Sequence, residues 1–151
     1  MRGAAPVIDV RIVNRPVEAA AVDPFPGGAG AECAFLGRTR ADVHPRHGRL
    51  VRLVYFAYEP LAQRTLGELA GCAAQRFGCL VVRVHHALGE VPVGMPSVLV
   101  QVVAGHRDQA FEACRFIVDR LKATAPIWKQ EQWARGTTWS PGAPVHLEDA
   151  G

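Results

Sequence analysis

Ser97-Val98-Leu99-Val100-Gln101-Val102-Val103-Ala104 is the stretch on which the fold turns. A run that is apolar at nearly every position, rather than at alternate ones, belongs to a strand covered on both faces, in the middle of a sheet. Gly105-His106-Arg107 follows, and then Asp108, a good N-cap for a helix running to about Thr124 with Ala110, Cys114, Ile117 and Leu121 turned inward. Pro126 cannot continue that helix and drives Ala125 out of the helical region, so the helix has to stop there.

Working back towards the N-terminus, Cys79 to Ala87 reads as a strand joined to the central one by a Gly- and Pro-punctuated connection, Leu88 to Pro96. Pro60 suits the first turn of a helix that reaches about Phe77 and is stopped by Gly78. Ala62, Leu66, Leu69, Ala73 and Phe77 make its apolar stripe. Arg49 to Tyr58, Ala31 to Leu36 and Val7 to Val13 are three further strands by their β-branched and apolar content. Val17 to Val22 is expected to form one or two helical turns, Asp23 to Gly30 a loop, and Asp42 to Gly48 a mobile loop. The order β, β, β, α, β, β, α predicts an α+β domain, two principal helices packed on a mainly antiparallel sheet. One domain over 1–139, with 140–151 a disordered tail, is the expected organisation.

Composition narrows the function. The chain has 151 residues, 49% of them hydrophobic, enough for one proper core. It contains no apolar run of about 18 residues, and its start lacks the hydrophobic stretch of a signal peptide, so a soluble cytoplasmic protein is expected. A net charge of +3 permits an anionic ligand without pointing to nucleic acid or a membrane. Cys33, Cys72, Cys79 and Cys114 form no C-x-x-C pair and are expected to be buried free thiols. His44 and His47 lack a third ligand nearby, so no metal is expected. The glycines at 27, 28 and 30 fit neither a P-loop nor a dinucleotide fingerprint.

The lysines are the chemical signal. Only Lys122 and Lys129 occur among the 17 basic residues, and both lie in Leu121-Lys122-Ala123-Thr124-Ala125-Pro126-Ile127-Trp128-Lys129-Gln130-Glu131. An amine can be deprotonated and serve as base or nucleophile, whereas a guanidinium effectively cannot. By composition alone, two solvated surface lysines would explain as much. The proline break, however, puts Lys122 in the last turn of a helix and lets Ile127 and Trp128 fold back to bring Lys129 near it. Gly105-His106-Arg107 is a second candidate, an anion site at the positive end of the same helix, with Arg40 a third; a solvated Arg107 is the competing reading. His106 and Lys122 are sixteen positions apart, roughly 20–24 Å along one helix. Either they serve separate sites or a two-fold partner brings the two helix ends together.

These residues resemble those of the large, catalytic subunit of molybdopterin synthase. The resemblance runs from about Gly30 to Trp139. It rests on Phe35-Leu36-Gly37-Arg38-Thr39-Arg40 (family F-x-G-x-x-R), on Gly105-His106-Arg107 (family S-A-H-R), and most specifically on the lysine segment (family L-K-x-x-x-P-x-W-K-x-E). Three places depart from the pattern. His86-Ala87-Leu88-Gly89 lacks the arginine of H-R-[LI]-G, Ala104-Gly105 replaces Ser-Ala, and Phe56 stands where a glutamate is common.

The resemblance implies an α/β-hammerhead fold and a homodimer within a heterotetramer. It also implies a small ubiquitin-like sulfur-carrier partner whose C-terminal Gly-Gly thiocarboxylate delivers sulfur to cyclic pyranopterin monophosphate. No cofactor is implied. Lys122 is expected beside the thiocarboxylate as acid/base or transient nucleophile, with Lys129 and Arg40 orienting and neutralising substrate. His106 and Arg107 of the other protomer are expected to hold phosphate. A non-catalytic oligomeric binder of an anionic metabolite is the alternative from another class. An RNA-binding module is opposed by the mild charge and the lack of an aromatic RNA-binding strand motif.

Overall fold

The computed structural model describes residues 3–140. The elements in chain order are β1 (Val7–Val13), β2 (Ala31–Arg38), β3 (Val43–His44), β4 (Gly48–Ala57), α1 (Glu59–Phe77), β5 (Cys79–Ala87), β6 (Gly89–Pro92), β7 (Pro96–Ala104), α2 (Arg107–Thr124), β8 (Ile127–Trp133) and β9 (Gly136–Trp139). They form two sheets, and the α+β class expected from the element order holds.

The first sheet has the order β1-β5-β7-β2. Only its β1–β5 pair is parallel; β5–β7 and β2–β7 are antiparallel. Every residue of β7 is buried, as its unbroken apolar run requires. The helices cover one face: Leu66, Ala70 and Ala73 of α1 and Cys114, Ile117 and Leu121 of α2 pack on Val82, Val84, Val98, Val100 and Val102. Over the other face runs the segment after β1, where Val17 is buried against Ala87, Val91 and Leu99. The expected helical turns over Val17 to Val22 do not form. This strap stays irregular, and one of its carbonyls is used sideways: Ala20 O accepts from Arg83 Nη1 at 2.9 Å and from Gln101 Nε2 at 3.0 Å. Gln101, the polar residue in the middle of β7's run, also accepts from Arg83 Nη1 and donates to Glu32. Its burial therefore leaves no amide group unmet.

α1 begins with Pro60 in its first turn and ends on Gly78, whose φ of 66° lets its N–H reach Ala74 O. α2 starts two residues earlier than its sequence suggests. His106 occupies the N-cap, its backbone N–H held by the Gln109 side chain at 3.2 Å, which moves Asp108 into the first turn. The far end matches: Lys122 lies in the last turn and Ala125 is extended.

The second sheet has the order β3-β4-β8-β9, with β6 also paired to β4. Four of these strands, β3, β6, β8 and β9, fall where the sequence reading has loops or a chain merely folded back. Each is short or polar, and each owes its extended form to a partner. The expected mobile loop is tied down: His44 Nδ1 accepts from the Arg46 and His47 N–H groups, and His47 Nδ1 donates to Arg135 O at 2.6 Å. The two histidines are thus occupied structurally, and no cluster of metal ligands exists among the described residues. Of the cysteines, Cys79 and Cys114 are buried as expected, Cys33 is half-buried and Cys72 is exposed. Among the described residues no helix is long and apolar enough to cross a membrane. The expected disordered tail lies outside the described residues, save Ser140, which donates its N–H to Lys129 O at 3.1 Å.

Candidate active site

A cavity of about 750 Å³ opens between the two sheets, walled by the end of β2, the middle of β4 and β8, and the last turn of α2. Both lysines line it. Lys122 arrives on the helix end, and Pro126 turns the chain so that β8 begins with its own residues facing back. In the β4–β8 register Lys129 stands opposite Tyr55, and Glu131 opposite Leu53. Directly opposed residues share a face of the sheet, so all four point into the cavity they line. Among the described residues neither lysine has a carboxylate within ion-pair distance. The nearby Glu131 is otherwise engaged, accepting from Thr138 Oγ1 at 3.0 Å.

The β2 wall explains its glycine. A Cβ on Gly37 would stand 2.7 Å from Val98 Cγ1, so the strand can lie this close to β7 only without a side chain there. Beyond it Arg38, Thr39 and Arg40 line the cavity. Arg40 is held by Asp42 at 3.0 Å on an 85% exposed side chain, a pair that water screens strongly. Arg38 donates to Gly94 O at 2.9 Å. Thr39 is 3% exposed, and its hydroxyl has no partner among the described residues, a polar atom a ligand could satisfy.

The floor is polar but uncharged. Tyr55 donates to Ser97 Oγ at 3.0 Å, and Ser97 donates to Gly37 O at 3.4 Å. Burial raises the Tyr55 phenol, a shift its hydrogen bond with Ser97 partly offsets. His86 packs edge-on against Tyr55, ring centroids 5.1 Å apart. Burial pushes its imidazole down to about 4; its bond to Ala87 O opposes the shift, and the charge of Lys129 adds to it. At neutral pH the ring is therefore uncharged.

His106 and Arg107 lie outside this cavity, exposed at the opposite end of α2. One protomer does not unite them with the lysines, as the helix length predicts. Tyr55, His86, Ser97, Arg38 and Glu131 escape sequence reasoning as candidates. A signal exists for three of them: Glu131 lies in the lysine segment at the same parity as Lys129, Arg38 inside the β2 motif, and His86 at the histidine of the H-R-[LI]-G pattern.

The three departures have structural accounts. Ala87 is fully buried against Val17 and Leu99, where an arginine would carry charge into an apolar cluster. A Cβ on Gly105 would meet nothing closer than 3.7 Å, so glycine and alanine are interchangeable there by space. Phe56 meets the cavity-lining Trp139 at a tilt, ring centroids 5.7 Å apart and both side chains exposed.

The sequence profile of the MoaE protein family matches residues 9–124. The chain belongs to the MoaE family. A relative described as a molybdopterin synthase catalytic subunit, from Synechococcus elongatus, is 41% identical over 138 residues, spanning 89% of this chain and 82% of that protein. One of the same description from Arabidopsis thaliana is 40% identical over 111 residues, 74% of this chain, which spans only 55% of that longer relative. The solved molybdopterin synthase structure from Staphylococcus aureus superposes with a TM-score of 0.76 at 26% identity, covering 85% of this chain and 94% of its counterpart. The two-helix, mainly antiparallel architecture of this MoaE-family chain is therefore that of the molybdopterin synthase fold, as the resemblance implies.

Proposed function

We propose that the protein is the catalytic subunit of a molybdopterin synthase. It transfers sulfur from the C-terminal thiocarboxylate of a small ubiquitin-like carrier to cyclic pyranopterin monophosphate, forming the dithiolene in two deliveries. The observation that carries this reading is the convergence of the chain's two lysines in one cavity with Arg38 and Arg40 at its side. Thiocarboxylate and phosphate are both anions, and unpaired ammonium groups at a partly enclosed site attract and orient them.

Lys122, at the helix end, stands beside the entering thiocarboxylate as acid/base or transient nucleophile. Lys129 and Arg40 hold the substrate and neutralise charge that develops on the carbon receiving sulfur. His106 and Arg107 reach a site only from a two-fold partner, whose α2 N-terminus supplies N–H groups for phosphate. The working unit is then a homodimer carrying one sulfur carrier per protomer. The chemistry requires no cofactor or metal, and the protein works as a soluble, cytoplasmic enzyme.

The test is reconstitution. The purified chain, mixed with a thiocarboxylated ubiquitin-like carrier and cyclic pyranopterin monophosphate, yields molybdopterin, read as its fluorescent oxidation product. Absence of product, with a carrier active alongside another synthase, overturns the assignment.

A further inference from the structure

Thr39 lines the cavity, is buried, and has no part in the roles given above. In the F-x-G-x-x-R pattern it falls on an open position. Both of its backbone groups are engaged by the turn before β7: the Thr39 N–H donates to Met95 O at 3.0 Å, and Thr39 O accepts from the Gly94 N–H at 2.8 Å. Arg38 ties the same turn from its side chain, through Gly94 O. The residue is thus fixed in place, while its hydroxyl meets no partner among the described residues. Such a hydroxyl can donate one hydrogen bond and accept two, and leaving them all unmade in a buried place is destabilising.

Nothing holds that hydroxyl where it stands. Rotation about Cα–Cβ moves it between staggered positions, and the turn breaks no hydrogen bond, since none is made. A ligand that fills the cavity therefore draws the hydroxyl to itself without a competing partner.

The distribution of charge narrows the ligand group. Lys122, Lys129 and Arg40 are exposed, so the formal positive charge stands towards the mouth. Deeper, Tyr55 donates to Ser97 and Ser97 to Gly37 O, and this floor is uncharged. An anion gains most from ammonium and guanidinium groups. A neutral edge of ring N–H and C=O groups is met as well by a hydroxyl, which turns to donate or to accept. Cyclic pyranopterin monophosphate carries both kinds of group, a phosphate and the amide edge of the pterin ring.

We propose that Thr39 is a specificity-determining residue for the small substrate: its hydroxyl hydrogen-bonds the uncharged amide edge of the pterin ring deep in the cavity, leaving the phosphate to cationic groups. This inference rests on the sulfur-transfer reading and adds to it the end of the substrate that enters first.

Thr39→Val removes the hydroxyl at nearly constant volume, and Thr39→Ser keeps it. In the unliganded full-length chain, Thr39→Val melts no lower than wild type, because a methyl group replaces a buried polar atom without a partner. A Tm lowered by several degrees would mean that the hydroxyl is bonded within the protein, and overturns the inference. Calorimetric titration with cyclic pyranopterin monophosphate, without carrier, gives a Kd weakened about tenfold in Thr39→Val and within about twofold of wild type in Thr39→Ser. In the reconstituted reaction KM for the pterin rises in Thr39→Val, and KM for the thiocarboxylated carrier is unchanged. A rise confined to the carrier's KM would put the hydroxyl against the carrier's tail and overturns the inference. A wild-type chain that binds no pterin sinks the sulfur-transfer reading and this inference with it, whereas equal pterin affinity in wild type and Thr39→Val sinks this inference alone.

Discussion

Lys122 and Lys129 line the same cavity although Pro126 separates them, one in the last turn of α2 and the other in β8. Proline ends the helix, and the strand that follows pairs with β4 instead of running off into solvent. Seven residues of sequence thereby become two walls of one pocket.

Lys122 is exposed and stabilises the fold only through the helix dipole, worth about 0.3–1 kcal/mol. Lys122→Ala is therefore expected to keep the melting profile and dimer of the parent while losing sulfur transfer by about two to four orders of magnitude. Lys122→Arg keeps the charge but not the removable proton, so it is expected to be nearly as inactive. The reconstituted molybdopterin assay, with thermal unfolding alongside, checks both. Retained turnover in Lys122→Ala removes the central role assigned to this amine.

The separation of His106 and Arg107 from the lysines makes a distinct prediction about symmetry. Homodimers of Lys122→Ala and of Arg107→Ala are each expected to be inactive. After subunit exchange, mixed dimers contain one site with both defects and one with neither. If sites are shared across the dimer, an equal mixture recovers about a quarter of wild-type activity. If each site is built within one chain, mixing recovers nothing.

What could be read from the sequence was whatever depends on local pattern. β7's unbroken apolar run, the 3.6-residue stripe of α1 and the stops at Gly78 and Pro126 report burial or backbone geometry directly. β8 was not legible as a strand because Lys129, Gln130, Glu131 and Gln132 put polar groups on both of its faces, one of which lines a cavity. The same cause limited the site. Lys122 and Lys129 stood out by residue type and Arg40 by its place after the glycine of the β2 motif, whereas Tyr55, Ser97 and His86 become neighbours only once β4 is paired with β8 and β5 with β7. Strand register sets those contacts, and no single strand encodes it.

Gly37 links the β2 motif to packing. Its missing Cβ leaves room for Val98, which is buried under α2 on the central strand. Gly37→Ala is expected to cost about 1–3 kcal/mol through overpacking. Because Gly37 O also accepts from Ser97, the strand shift is expected to disturb the cavity floor, lowering kcat/KM in the protein that remains folded at reduced temperature. Denaturant unfolding and kinetics on the same sample check this, and an unchanged midpoint contradicts it.

Acid stability offers a reading of His86 in the native fold. Its folded-state value, about 4, lies below the ordinary 6.5, so the unfolded chain binds the proton more readily. Stability contributed by neutral His86 is present above about pH 6.5, declines as pH falls towards 4, and is fully lost below that. A shift of this size corresponds to about 3 kcal/mol over the window. Asp9 acts in a lower range: hydrogen bonds from His85, Arg83 and Arg11 outweigh its burial and hold its carboxyl below the ordinary 3.8, so its contribution is lost only below about that pH. Urea midpoints measured from pH 7 to pH 4 are therefore expected to fall steadily in the wild-type chain and less steeply in His86→Gln, which cannot take up the proton; burial lowers the neighbouring His85 in the same direction, so part of the slope remains. Parallel slopes for the two proteins would mean that His86 is not buried as a neutral ring.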